Sequence, residues 1–289
     1  MKIIKVNTKR GLELKGAIFD AQGTDTVLVM LTGICSNIFQ NELLYSTGKL
    51  LQENGIATII GHAHDSFSCF AYTDFSTGKQ KISGTFDDNF EMVYEDVEAY
   101  VKYAKELGFK NIILGGHSLG SNKIIHYLGN TKDDFIDYFI ISSPVDIIHW
   151  WNVMPDVEKC FELAQKWVKE GRGDDILPFL FGGFSPMKAK TVLGFYNADN
   201  LKNCPILSKR GETASLRNMK PNGSFIIGSK DSVTGDSPKG FMEQLNLWTA
   251  HPERNRVIEV KGASHIFYGM HDIYGKTVLD CIQNHFKGA

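Results

Sequence analysis

The sequence predicts an α/β fold built on a mostly parallel sheet, and three observations predict it. Short apolar runs rich in β-branched residues recur along the chain, as in Thr26–Leu31, Asn111–Gly116 and Tyr138–Ser142. Segments with apolar residues at helical spacing lie between them, and glycines fall where those segments end, at Gly55, Gly108 and Gly129. Strands alternating with helices of this kind make right-handed crossovers, cover both faces of the sheet, and gather ligands at the carboxyl ends of the strands.

Each element follows from its own pattern. Leu12–Phe19 has strand character, and Thr26–Leu31 suits a strand buried on both faces. Phe39, Leu43, Leu44, Leu50 and Leu51 give Ile38–Asn54 a helical apolar face, with Gly55 as its C-cap. Ile56–Ile60 is a further buried strand. Phe86–Leu107 reads as a helix through Phe90, Val93, Val97, Val101 and Ala104. Asn111–Gly116, Leu119–Leu128 and Tyr138–Ser142 continue as strand, helix, strand. From Asp146 to Arg217 the rhythm changes to helical stretches and Trp- and Phe-rich loops without a buried strand. The alternation resumes with strand Ser224–Ile227, helix Pro238–Trp248, strand Arg256–Val260 and helix Asp272–Phe286. The expected organisation is one core, residues 1–145 and 218–289, with a helical cap inserted at 146–217.

Composition narrows the function classes. At 289 residues the chain is too long for a disulfide-stapled module. Its 31 Lys and Arg against 33 Asp and Glu leave a formal net charge of -2, which argues against nucleic acid or an anionic membrane as partner. The longest apolar run, Val27–Leu31, is far short of the ~20 residues that span a bilayer. Met1–Lys5 lacks the apolar core of a secretory signal. The five cysteines are scattered, without a CxxC pair, and read as reduced thiols of a cytoplasmic protein. A homodimer is left open.

The chemistry concentrates at Gly116-His117-Ser118-Leu119-Gly120, a G-x-S-x-G sequence between a predicted strand and a predicted helix. A serine on so sharp a turn projects its hydroxyl from the top of the sheet, and the helix N-terminus behind it offers N–H donors to an oxyanion. Such a nucleophile needs a base, and the base an orienting carboxylate. Asp231 follows the strand Ser224–Ile227, and His265 follows Arg256–Val260, so both lie just past strand ends on the side of Ser118. Asp146 is the next candidate acid, Asp236 the third, and His265 could instead be a locally bonded loop histidine.

In these motifs the chain resembles the α/β-hydrolase superfamily over nearly its whole length. Gly84-Thr85 ahead of an acidic helix, with His117 to Lys123, is similar to a little-characterised branch of serine hydrolases in fungi and bacteria. The resemblance implies acyl transfer with Ser118 as nucleophile, His265 as general base and then acid, and Asp231 fixing the imidazole. It implies an oxyanion hole of two backbone N–H groups, from Leu119 and from the loop Thr32-Gly33-Ile34-Cys35, where Ile34 is favoured over Cys35. The family commonly has His-Gly where this chain has Thr32-Gly33; a backbone donor does not need the histidine.

Cys35, His117, Trp150, Trp151 and Phe267 are expected to line the substrate pocket, Trp150 and Trp151 from the cap. Cys35 reads as a small loop residue, not a second nucleophile. His62-Ala-His64-Asp65 superficially suggests metal ligands, but no partner cluster completes a site, and no phosphate loop or dinucleotide fingerprint is present. No metal or organic cofactor is expected, because water is the only co-substrate needed. The reading is a serine esterase of small to medium carboxylic esters. A thioesterase, lactonase or C–C hydrolase on the same residues is the alternative, as is a non-catalytic protein that keeps the fold as a small-molecule pocket.

Overall fold

The computed structural model describes residues 1–183 and 185–287. Eight strands form the main sheet: β1 (Lys2–Asn7), β2 (Glu13–Phe19), β3 (Thr26–Leu31), β4 (Ala57–Gly61), β7 (Asn111–His117), β8 (Ile136–Ser142), β9 (Asn222–Lys230) and β10 (Arg256–Ser264). Two more, β5 (Phe70–Thr73) and β6 (Gln80–Ser83), pair with each other as a small hairpin. The spatial order is β1-β2-β4-β3-β7-β8-β9-β10, antiparallel through β1, β2 and β4 and parallel from β4 to β10.

Helices cover both faces. On one lie α1 (Glu42–Glu53) and α9 (His271–Lys287), whose Leu43, Leu44, Leu51, Tyr274, Val278 and Ile282 pack onto Leu28, Met30, Ile113 and Ile140 of the sheet. On the other lie α2 (Val93–Glu106), α3 (Leu119–Asn130) and α8 (Pro238–Leu247). Between β8 and β9 run α4 (Ile147–Asn152), α5 (Val157–Lys169), α6 (Ala189–Asn197) and α7 (Ala214–Asn218). Asn122 of α3 pins this segment, bonding the carbonyl of Val145 and the side chain of Asn203, each at 2.8 Å. Its last helix, α7, lies on α3, with Ser215 against Gly129. Among the described residues no helix is long and apolar enough to cross a membrane.

The alternation expected from the sequence is present, with three differences. β1 is an additional edge strand, with Ile4 and Val6 buried and Ile3, Lys5 and Asn7 exposed, a short period-2 pattern. The β5–β6 hairpin was not expected from the sequence; β5 is mostly half-buried and β6 mostly exposed. The two helices expected at Ile38 and Phe86 begin later, at Glu42 and Val93. The Asn41 side chain accepts from Leu44 N–H at 3.1 Å and caps α1 there, whereas 3₁₀ turns occupy 85–87 and 90–92 before α2.

Candidate active site

The turn from β7 into α3 holds Ser118 at φ +56, ψ -130, a conformation rare for a residue with a side chain. Close packing imposes it. A Cβ on Gly116 would stand 2.3 Å from the Gly120 backbone, and one on Gly120 would stand 2.3 Å from the Leu31 carbonyl oxygen. Bonds to β8 hold the turn from below: Ser118 N–H donates to the Ser142 carbonyl at 3.0 Å. The Ser121 hydroxyl accepts from Ser142 N–H at 2.9 Å and lies 2.7 Å from the Gly116 carbonyl.

Ser118, His265 and Asp231 come together above this turn. Ser118 Oγ lies 3.0 Å from His265 Nε2, and His265 Nδ1 lies 3.0 Å from each Asp231 oxygen. With the proton on Nδ1, donated to Asp231, Nε2 is left to accept the serine hydroxyl. Burial alone would raise the Asp231 carboxyl, but its bonds to His265 and Val233 N–H hold it below the ordinary carboxylate value. Asp146 serves elsewhere. It caps α4 by accepting from His149 N–H, and its other oxygen accepts from Leu207 and Ser208 N–H at 2.9 and 2.8 Å.

His117, beside the serine, points Nε2 at the His265 carbonyl oxygen at 2.8 Å and so ties the histidine loop to the turn. Burial, then the proximity of His265, push its pKa down to about 4. A neutral ring must donate through Nε2–H to make that bond.

A cavity of about 240 Å³ opens directly over Ser118 and His265. Its walls are largely apolar: Ile34, Val145, Ile147, Trp150, Val233 and Ile266, with Ser36, Asn41 and His117 as polar lining. Leu119 N–H belongs to the first turn of α3, and the loop after β3 presses onto the serine, so that a Cβ on Gly33 would lie 3.1 Å from Ser118 Cβ. Cys35 N–H already donates to Thr85 Oγ1 at 3.3 Å. A larger cavity of about 500 Å³ lies apart from this site, between residues 87–92 and α6, and no nucleophile–base pair lines it.

Of the residues expected to line the pocket, His117 and Trp150 do so, and Cys35, Trp151 and Phe267 do not. Trp151 is one residue around α4 from Trp150, which turns its ring into the segment's own core, against Phe181 and Phe195. Phe267 is fully buried at φ +52 with its ring on Tyr274, and the Cys35 thiol bonds Thr85. Phe184, one of the aromatic residues of the same segment, lies outside the described residues. Val145, Ile147, Val233 and Ile266 were not anticipated. Each nevertheless lies within two residues of a candidate acid or base just past a strand end, and that placement was the available signal. His62 and His64 are bound by protein groups: His62 Nε2 accepts from Ile38 N–H, and His64 sits between Asp96 and Asp88, at 2.6 Å from each.

Residues 71–192 match the model of a family described as a protein of unknown function (DUF1749). No curated protein sequence matches the chain. Solved structures match it throughout. The α/β hydrolase GrgF from Penicillium sp. sh18 aligns with TM-score 0.71 at 16% identity, over 99% of this chain and 97% of that one. Est1E from Butyrivibrio proteoclasticus aligns with TM-score 0.66 at 13% identity, over 99% and 100%. A thermophilic esterase from Thermogutta terrifontis aligns with TM-score 0.60 at 14% identity, over 99% of each. The chain has the α/β-hydrolase fold.

Proposed function

We propose that the protein is a serine esterase acting on small to medium carboxylic esters. The reading is carried by one observation: Ser118, His265 and Asp231 form a continuous hydrogen-bonded chain whose nucleophilic end faces an apolar cavity. Ser118 Oγ attacks the ester carbonyl as its proton passes to His265 Nε2, and Asp231 stabilises the imidazolium. The oxyanion is received by the N–H groups of Leu119 and Ile34; Cys35, with its N–H already engaged, is the poorer donor. His265 then protonates the departing alcohol, and water enters by the reverse of these steps to release the acid.

The cavity supports the substrate class proposed. Its volume of about 240 Å³ suits a small to medium ester. No Lys, Arg, Asp or Glu lines it among the described residues, so an uncharged acyl group suits it. Residues 146–217 serve in this reading as the cap, with Trp150 as its contact to the substrate. Est1E, of which a second structure has ferulic acid bound, and the Thermogutta esterase share the fold and agree with an ester substrate.

The test is a panel of chromogenic esters and matched thioesters of graded acyl length, given to wild type and Ser118→Ala, with labelling by an organophosphonate probe. Turnover of short and medium esters, lost in Ser118→Ala together with labelling, is expected. Faster turnover of thioesters would move the assignment to thioesterase. Absence of turnover and labelling in a folded preparation would leave a binding protein.

A further inference from the structure

Beneath the loop that carries Ile34 lies a fully buried ion pair that the proposed reaction does not use. The ammonium of Lys123, on α3, meets the equally buried carboxylate of Asp65, in the loop after β4. Removing two charges from water costs about as much as their attraction returns, so such a pair is weak support for stability. The second Asp65 oxygen has no partner among the described residues, which adds to that cost.

The positions of its bonds give the pair another role. Lys123 Nζ also donates to the carbonyl oxygen of Thr32, at 3.4 Å. On the opposite side, the Thr85 hydroxyl donates to the carbonyl of Asp65 at 2.7 Å, and Thr85 Oγ1 accepts from Cys35 N–H at 3.3 Å. A third tie joins the hydroxyls of Thr32 and Ser66 at 3.0 Å. Thr32 and Cys35 flank Gly33 and Ile34, so both ends of the two-residue span holding the second oxyanion donor are anchored on Asp65. One end is reached through its carboxylate and the other through its carbonyl.

The geometry points to Asp65, Lys123 and Thr85 as positioning residues that fix the direction of the Ile34 N–H before substrate binds. This inference rests on the esterase reading. A donor aimed in advance needs no reorganisation as charge develops on the carbonyl oxygen, and that is where an oxyanion hole gains its effect. It also gives the pair a use that offsets its cost to stability.

Thr85→Val cuts the tie to Cys35 while keeping the shape of the side chain. Loss of an oxyanion donor costs about 10²–10³ in kcat, and a donor misdirected but present should cost less, about tenfold to a hundredfold. Expected are this fall in kcat with KM within about twofold, a parallel weakening of a trifluoromethyl ketone inhibitor, and an unchanged pH profile of kcat/KM. Thr85→Ser, which keeps the hydroxyl, recovers most of the lost kcat. An unchanged kcat in Thr85→Val, or a serine variant no better than valine, overturns the positioning role while leaving the esterase intact. Absence of Ser118-dependent turnover in wild type overturns both. The wild-type protein supplies an arm that needs no variant. In its amide spectrum Cys35 N–H is protected before inhibitor is added, and Ile34 N–H moves downfield when the ketone adduct forms. An unprotected Cys35 amide, or an Ile34 amide indifferent to the adduct, refutes the inference even if Thr85→Val does not fold.

Discussion

Replacing Gly33 with alanine probes the point where the loop after β3 meets the serine. The added methyl would stand 3.1 Å from Ser118 Cβ, 3.3 Å from the His117 carbonyl oxygen and 3.5 Å from Ser118 Oγ. Carbon atoms prefer separations of about 3.5–4.0 Å, so a shift of about 0.5 Å is needed. All three neighbours belong to the nucleophile turn, and the displaced group is the hydroxyl now 3.0 Å from His265 Nε2. A misplacement of about 1 Å can cost about 10²-fold in rate, so half of it predicts a loss of about tenfold in kcat. Gly33 is not among the residues with positive φ, so the substitution adds no backbone strain. Stability should fall by less than about 1 kcal/mol, a drop of about 2–4 °C in Tm at most. Gly116→Ala is the contrast: its methyl meets backbone at 2.3 Å, and the protein should lose stability by about 1–3 kcal/mol or more. Ester kinetics, the rate of phosphonate labelling and thermal unfolding on both variants decide the matter. Full activity in Gly33→Ala, or a loss of activity no greater than its loss of folded protein, would refute the reasoning.

Other expectations separate the two candidate acids and define the pH range of stability. Asp231→Asn presents an amide to His265 Nδ1, favours the wrong tautomer, and should lower kcat by about 10⁴. Asp146→Asn should change kcat only a few-fold while lowering urea stability by about 1–3 kcal/mol, because the bonds it weakens are those to residues 149, 207 and 208; the opposite pattern would exchange their roles. Burial disfavours protonation of His64, but the carboxylates of Asp96 and Asp88 outweigh it and carry its pKa up to about 10, whereas burial lowers His62 to about 4. Relative to an unfolded value of about 6.5, the His64 contribution is complete below that pH and is lost as pH rises towards 10. The His62 contribution is present above it and is lost as pH falls towards 4. Urea midpoints should therefore peak between these limits, and His64→Gln should be less stable at neutral pH yet show a flatter alkaline limb; an unchanged alkaline slope would exclude His64 as its cause.

What the sequence made legible was decided by burial. β3, β7, β8 and β9 lie inside the sheet with both faces covered, so each carries an apolar run that stands out from its surroundings. β1, at the edge, buries only alternate residues, and the β5–β6 hairpin is held by its turn, where Asp74 accepts from Ser76 and Thr77 and pairs with Lys81. Ser118, Asp231 and His265 were findable because each directly follows a legible strand. The pocket walls were harder to read, since a single residue step around α4 separates Trp150, which faces the cavity, from Trp151, which faces away. Phe267 turns inward through a backbone conformation that nothing in Gly262-Ala-Ser-His265 announces.

Non-glycine residues with positive φ are Cys35, Phe67, Ser118, Ser143, Asp156, Lys209 and Phe267 among the described residues. Four of them, Cys35, Ser118, Ser143 and Phe267, stand in the loops at the carboxyl ends of β3, β7, β8 and β10, the loops that assemble around the serine. Strain of this kind costs about 1–3 kcal/mol at each residue and persists only where the surroundings over-determine it. Specific bonds supply that determination: Cys35 N–H to Thr85, Ser118 N–H to Ser142, Ser143 N–H to Ile226 and Phe267 N–H to Ser264. Glycine would have adopted these conformations more easily and would have marked them in the sequence. On the esterase reading, the stability given up at these positions is concentrated in the loops that would hold the reacting groups.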